Sequence, residues 1–297
     1  MNNLDEEQNK ITQTYQKWAD LLQPVSKYKT GVLGILDIIG FSKCVLEEKR
    51  DLNTIVKIIA DNALTNDFIF NDISLDIRIL SDTMIVFMEG ITPESVIIVI
   101  KALENYRYGF LKAGFMTRGA IVSGPYFWEK DILVSPAFIE AYFIEEHKTI
   151  YPRIIIKDNL VDLLQNNHTN ENDILMIGCY DYPKDLIYKD FDFYNVVRPF
   201  IILEDIAFYC YEKYLNKYRG FKEKNNNNNM IMFKKLLYDF KQQIEYCINN
   251  TNSDHEREKV NYLINEYNKV LNLCTFYPYQ NELIKIPCIE YKDKMYK

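Results

Sequence analysis

Residues 31-GVLGILDIIGFS-42 have the form of a buried strand running into a helix. Gly31 to Ile39 is a short apolar run rich in branched side chains and is closed by Gly40, which is the pattern of a strand covered on both faces. One charge interrupts it: Asp37, two residues from the end. A carboxylate inside an apolar strand is costly unless it is paired or holds a cation. Further on, 75-LDIRILSDTMIVFM-88 gives two branched-rich strands, Leu75–Leu80 and Thr83–Met88, separated only by Ser81-Asp82. That junction reads as a tight hairpin with Asp82 at its tip.

Working outward, the spacing of apolar residues predicts an amphipathic helix over residues 4–24 and a mostly helical stretch from Phe41 to about Asn71. Thr92 and Pro93 have the form of an N-cap and first position for a helix to about Ala113, stopped at Gly114. Phe115–Ser123 reads as a strand, Pro125–Trp128 as the start of a hairpin whose partner ends near Leu133, Ala137–Lys148 as a helix and Arg153–Lys157 as a strand. The order β-α-β-β-α-β-(β)-α-β predicts an α+β protein. Its core would be a ferredoxin-like split βαβ palm with an antiparallel or mixed sheet. Beyond residue 158 the pattern weakens: Asp162–Asp173 reads as a loop, 190-DFDFY-194 as an isolated acidic-aromatic cluster, and Asn225–Asn229 as an exposed connector. Helices are expected over Glu204–Tyr218, Met230–Ile248 and Arg257–Leu273. Three regions result: an N-terminal helix in 1–28, a palm in 29–160, and a mainly helical region, 161–297, packing on it.

The bulk properties narrow the function classes. The 297 residues are 48% hydrophobic, enough for a sizeable core, and the net charge of -7 comes without a basic stripe, so nucleic acid is not the expected partner. The N-terminus is acidic rather than basic-then-apolar, and no apolar run reaches the ~20 residues that span a bilayer. The expectation is a soluble, cytoplasmic protein with no membrane partner. Six scattered cysteines without a Cys-x-x-Cys pair, and only three histidines, argue against a zinc site or a disulfide framework and suggest small core residues.

In a split βαβ sheet the first strand and the hairpin lie side by side, so Asp37 and Asp82 can converge. Two carboxylates without histidine or thiolate suit hard cations such as Mg²⁺ or Mn²⁺, and a pair of such ions supports in-line attack at phosphorus. The plain alternative is that Asp37 caps the following helix and Asp82 is a turn residue.

Asp37-Ile-Ile-Gly-Phe-Ser42 resembles the opening signature of class III adenylate and guanylate cyclases. Ile79-Leu-Ser-Asp82-Thr-Met-Ile-Val-Phe87 resembles their metal-binding hairpin, with Ser81 where glycine is usual. Thr117-Arg-Gly-Ala-Ile-Val-Ser-Gly124 is similar to their Arg-x-Gly strand. The resemblance covers about residues 30–160. More narrowly, Leu-Asp37-Ile-Ile-Gly-Phe, Ser81-Asp82, Arg118-Gly119 and Ala141-Tyr-Phe-Ile-Glu145 with Tyr151-Pro-Arg153-Ile look like the bacterial pyrimidine cyclases of the Pycsar antiphage defence system. So, less specifically, do Lys189-Asp-Phe-Asp192 and Glu256–Leu273.

The resemblance implies a homodimer that converts a pyrimidine nucleoside triphosphate, UTP favoured, into the 3′,5′-cyclic monophosphate and pyrophosphate. The product would signal to a separate cyclic-nucleotide-binding effector. Asp37, Asp82 and the Ile38 carbonyl would hold two Mn²⁺ or Mg²⁺ ions per site; backbone N–H groups at Phe41 and Ser42 would face the triphosphate; Arg78 would read the base. One departure stands out. The Asn and Arg that the family places four apart on the helix after the second hairpin align here with Ile139 and Phe143. Arg118 and Arg153 are then the candidate replacements for the missing catalytic cation. A cyclase-like nucleotide-binding module of weak or no activity, a cytidylate cyclase and a purine cyclase stay open as alternatives.

Overall fold

A computed structural model describes residues 28–46, 53, 56–57, 60, 75–129, 132–166, 186–200, 227–251, 253–273 and 285–289. The helices expected over 4–24 and 204–218, and the continuation from 47 to 71, lie outside the described elements. In chain order the elements are β1 (Lys29–Ile38), α1 (Phe41–Leu46), β2 (Leu75–Leu80), β3 (Thr83–Glu89), α2 (Pro93–Lys112), β4 (Thr117–Glu129) and β5 (Ile132–Val134). There follow α3 (Pro136–Lys148), β6 (Ile154–Ile156), α4 (Asp158–Asn166), β7 (Ile187–Lys189), β8 (Asn195–Val197), α5 (Asn227–Asn249) and α6 (Asp254–Leu273).

The fold is α+β. An eight-stranded mixed sheet runs β2-β3-β1-β4-β6-β8-β7, with β5 paired to β4. β1 is antiparallel to both β3 and β4, and β2 is antiparallel to β3. β3 therefore sits between the parallel pair β1 and β2, and β1 between the parallel pair β3 and β4. That interleaving is the split βαβ palm expected from the element order.

Alternation along β1 sends its side chains to two different cores. Val32, Leu36 and Ile38 pack with α2 on one face. Leu33 and Ile35 pack with Ala137, Ala141 and Ile144 of α3 on the other. The strand is buried on both faces, and its sequence is apolar throughout for that reason. Gly34 lets α2 approach, since a Cβ there would meet Leu103 at 2.6 Å and Val99 at 2.8 Å. α2 begins as expected: the Thr92 hydroxyl accepts from the Ser95 N–H and Pro93 holds the first turn.

The structure corrects several expectations beyond β4. β4 runs unbroken to Glu129, because β1 pairs with it as far as Tyr126 and β5 with its last three residues. Residues 158–166, the last five expected as loop, form α4, whose Leu160, Val161 and Leu164 are buried against the α2 core. Asn227–Asn229 of the asparagine tract are the opening residues of α5. Within the region after 160, expected to be mainly helical, β7 and β8 also form a hairpin that extends the sheet past β6, which leaves that expectation standing. The 190–194 cluster is that hairpin's turn. α5 and α6 pack on the outer side of α2 in a separate core that includes Leu111, Phe240 and Tyr267. Of the described cysteines, Cys247 is buried as expected; Cys288 is exposed, where its thiol donates to Asn265 Oδ1 at 3.2 Å.

Candidate active site

Register assembles the site. Asp37 lies directly opposite Thr83 on β3 and opposite Arg118 on β4. Residues directly paired across a sheet project from the same face, so Thr83, Asp37 and Arg118 form one row, with Leu80 of β2 beyond Thr83. Asp37 is an odd position of β1, like Leu33 and Ile35, and so shares their α3-facing side. Asp82 immediately precedes Thr83 at the hairpin tip. The first of the two hairpin residues, Ser81, takes a φ of 58°, in the left-handed region where glycine is unstrained. The two aspartates expected to converge are therefore neighbours at one edge of the palm.

The Asp37 side chain is 15% exposed. Its Oδ1 accepts a long hydrogen bond from Thr83 Oγ1 at 3.5 Å, and its Oδ2 lies 3.5 Å from Arg118 Nε. Burial, together with the nearby Asp82 charge, pushes the Asp37 carboxyl up from 3.8 to about 6 despite Arg118. Arg118 is closer to a third acid, Glu145 of α3, at 2.6 Å from Nε to Oε1. The two atoms are not aligned as donor and acceptor, so this is an ion pair rather than a hydrogen bond. A third anchor is the Thr149 carbonyl, which accepts from Arg118 Nη1 at 3.3 Å. Glu145 is 4% exposed and, chiefly through burial, is pushed up to about 7. Nothing in the sequence reading gave Glu145 a role. Its place one turn beyond Ala141 on the inward face of α3 was legible there, but the strand row it meets was not.

This donor set fits a hard divalent cation. Asp37 and Glu145 share one arginine with the Asp82 charge nearby, and Asp37 is held where ionisation is unfavourable unless positive charge is supplied. Among the described residues no cluster of three or more His, Cys, Asp or Glu is arranged to ligate a metal, which leaves Asp37 and Asp82 as the pair that could hold one. Both carry oxygen donors, as Mg²⁺ and Mn²⁺ prefer.

The remaining expected residues divide. Ile38 ends β1 with its side chain in the α2 core, and Phe41 and Ser42 open α1 just after Gly40, whose φ is +77°. Arg78 projects from the same sheet face as Asp37, because it is in the row Arg78–Ile85–Ile35–Ala120, one step along from the Asp37 row. β2 is two strands from β1, ~10 Å away. Arg78 Nε is paired with Asp76 at 2.8 Å, and its guanidinium lies 5.4 Å from the centre of the Trp128 ring. Tyr126 steadies Asp76 by donating to its Oδ2 at 3.3 Å.

Arg153 is placed differently from a catalytic cation. It is 1% exposed and donates from Nη1 to Asp190 at 2.7 Å and Asp192 at 2.8 Å, and from Nη2 to Asp192 at 2.5 Å and the Lys148 carbonyl at 3.2 Å. Tyr262 of α6 donates to the same Asp190 oxygen at 2.8 Å. Its charge is consumed in fastening the β7–β8 turn and α6 to the end of the sheet. The arrangement is that of a structural ion pair, and Arg118, not Arg153, is the candidate cation that lies beside Asp37. Ile139 and Phe143, at the positions of the missing Asn and Arg, are 68% and 51% exposed on α3.

No protein-family model matches the sequence, and no curated protein matches it. Among solved structures it is similar to a bacterial light-regulated adenylyl cyclase, with 13% identity over 46% of this chain and 79% of that one at a TM-score of 0.36. It is similar to the guanylyl cyclase Cya2, with 14% identity over 46% and 78% at a TM-score of 0.35. A third is the dimeric guanylyl cyclase domain of the RhoGC fusion protein from the aquatic fungus Blastocladiella emersonii, with 13% identity over 57% and 94% at a TM-score of 0.38.

Proposed function

We propose that this chain is a metal-dependent nucleotidyl cyclase. It converts a pyrimidine nucleoside triphosphate, UTP by preference, into the 3′,5′-cyclic monophosphate and pyrophosphate, as a second messenger in antiphage defence read by a separate effector. The observation that carries the reading is the meeting of Asp37 and Asp82 at the β1–hairpin edge, within sequence motifs that resemble those of class III cyclases.

Asp37, Asp82 and the Ile38 carbonyl hold the ions. Bound Mn²⁺ or Mg²⁺, two per site, supplies acidification of the ribose 3′-hydroxyl and neutralisation of triphosphate charge. The hydroxyl oxygen bonds to the α-phosphorus, and the bond from that phosphorus to the bridging oxygen of pyrophosphate breaks. Backbone N–H groups at Phe41 and Ser42 face the phosphates. Arg118 places a fixed positive charge beside Asp37, the one left to offset charge gathering on the α-phosphate. Arg78, anchored through Nε on Asp76, presents a planar guanidinium that suits a pyrimidine carbonyl. Ile139, Tyr142 and Phe143 expose an apolar face of α3 that suits a two-fold contact with a second copy.

The test is purified protein with Mn²⁺ and each of UTP, CTP, ATP and GTP, with products separated by mass. Cyclic UMP is expected from the wild type and not from Asp37→Ala. No cyclic product from any triphosphate would falsify the cyclase reading. Triphosphate binding without turnover would favour the second reading, a nucleotide-binding module, which the apolar Ile139 and Phe143 support.

A further inference from the structure

We propose that Glu145 is a positioning residue that holds Arg118 off Asp37 and so keeps the Asp37 carboxylate free to take a cation. The inference rests on Asp37 and Asp82 being the cation ligands. Arg118 stands between two acids and reaches both through the same Nε, 2.6 Å from Glu145 and 3.5 Å from Asp37. One guanidinium cannot close fully on both. Its 2.6 Å approach to Glu145 leaves the Asp37 contact the longer of the two, at 3.5 Å.

The arrangement is built into rigid elements. Arg118 projects from β4, fixed by full pairing with β1, and Glu145 from α3, whose Ala137, Ala141 and Ile144 are packed into the sheet. Next to Arg118, Gly119 admits the β1 backbone so closely that a Cβ would fall on the Ile35 carbonyl oxygen. The Thr149 carbonyl, just past the end of α3, holds Nη1 on the same side as Glu145. Two anchors on the α3 side thus oppose one on Asp37.

Glu145 is not a third ligand in this arrangement. It is almost fully buried, its near oxygen is occupied by Arg118, and it is not grouped with Asp37 and Asp82 in any metal-ligating cluster among the described residues. Removing its charge leaves Arg118 with Asp37 as its nearest anion. The guanidinium then closes on Oδ2 and competes with the incoming cation for the lone pairs that the cation needs. Glu145 thus acts on the metal through Arg118, and truncating it weakens cation binding even though it never touches the ion.

The experiment is Mn²⁺ binding to the full chain without nucleotide, followed by electron paramagnetic resonance of the free ion. The variants are wild type, Asp37→Asn, Glu145→Gln, Arg118→Gln and the double variant Arg118→Gln/Glu145→Gln, each checked for cooperative thermal unfolding. Glu145→Gln is expected to weaken Mn²⁺ binding ~10-fold, within the range seen when a residue supporting a ligand is lost. The double variant is expected to recover most of that loss, because no arginine remains to close on Asp37. Unchanged affinity in Glu145→Gln overturns the proposal, and so does a double variant as weak as Glu145→Gln alone. Should Glu145→Gln fail to fold, the Arg118→Gln variant decides: with the competitor gone, it binds Mn²⁺ at least as tightly as wild type, and a clear loss of affinity overturns the proposal. Wild-type affinity in Asp37→Asn sinks the underlying metal site instead, which separates the two failures.

Discussion

Asp37 is a residue whose chemistry and stability pull in opposite directions. Its carboxyl titrates at about 6 in the fold against 3.8 as a free side chain, so between those values the folded protein keeps a proton that the unfolded chain has lost. Stability of the metal-free protein therefore falls as pH rises through that window, and above it the full cost is present. A shift of this size corresponds to roughly 2–3 kcal/mol for a side chain this well buried. Asp37→Asn is expected to raise the thermal midpoint of the metal-free protein at pH 8, with the advantage closing by pH 4. Calorimetry across pH checks this, and an Asn variant less stable than wild type at pH 8 contradicts it. The same titration sets cation binding with the opposite sign, since protons and cations compete for one carboxylate. Mn²⁺ affinity measured by titration calorimetry should drop as pH is lowered below about 6. At the neighbouring hairpin, Ser81 holds a left-handed φ that costs a residue with a Cβ about 1 kcal/mol, so Ser81→Gly should stabilise the protein to urea by that order.

Among the elements, the hairpin of β7 and β8 shows how a charge that looks catalytic in sequence becomes a fastener in the fold. Arg153 joins Asp190 and Asp192 of the turn, and burial, which alone would lower its pKa, is outweighed by those two carboxylates. Arg153→Ala leaves the buried Asp190 and the part-exposed Asp192 without their cation and should cost ~3 kcal/mol in urea unfolding. Arg153→Lys should recover little, because a point charge cannot grip both carboxylates as a fork does. A variant that keeps its stability while losing cyclase activity would return Arg153 to catalysis. The contrast with Asp37 explains what was legible beforehand. β1, the β2–β3 hairpin, α2 and α3 follow from periodicity and caps, since local spacing determines which faces are apolar. The meeting of Asp37 with Asp82 also followed, because a two-residue hairpin beside a strand leaves few registers. The partners of Arg153 and Arg118 did not. Asp190 and Glu145 reach them across 37 and 27 positions of sequence, and only the closed sheet brings those positions together. α4 was hidden for another reason: its polar residues outnumber its buried Leu160, Val161 and Leu164, so composition masks a one-sided helix.

At the scale of the molecule, α2 belongs to two cores at once. Its Val96, Val99, Ile100 and Leu103 face the sheet, while Tyr108 and Leu111 near its end face α5 and α6. The Tyr108 and Phe240 rings lie 5.0 Å apart, and Arg107, beside them on α2, donates to the Pro152 carbonyl just ahead of β6. A second tie runs through Tyr188 of β7, which donates to Glu266 of α6 at 2.6 Å, and through Tyr262 on Asp190. The helices of the C-terminal region are thus fastened to the palm both along α2 and at the far edge of the sheet. Because a helix buried on opposite sides cannot lose one core without exposing apolar surface to the other, palm and C-terminal helices should unfold together. The chain supplies its own probes: Trp128 reports on β4, and the buried Cys247 of α5 reports on the outer core. With Trp18 replaced by Phe, leaving Trp128 as the remaining tryptophan, fluorescence and mass-resolved thiol labelling at Cys247 should give one midpoint in urea. Labelling of Cys247 well below the Trp128 transition would show that the helical region opens alone, and would make it an appendage rather than part of the scaffold that holds the candidate site.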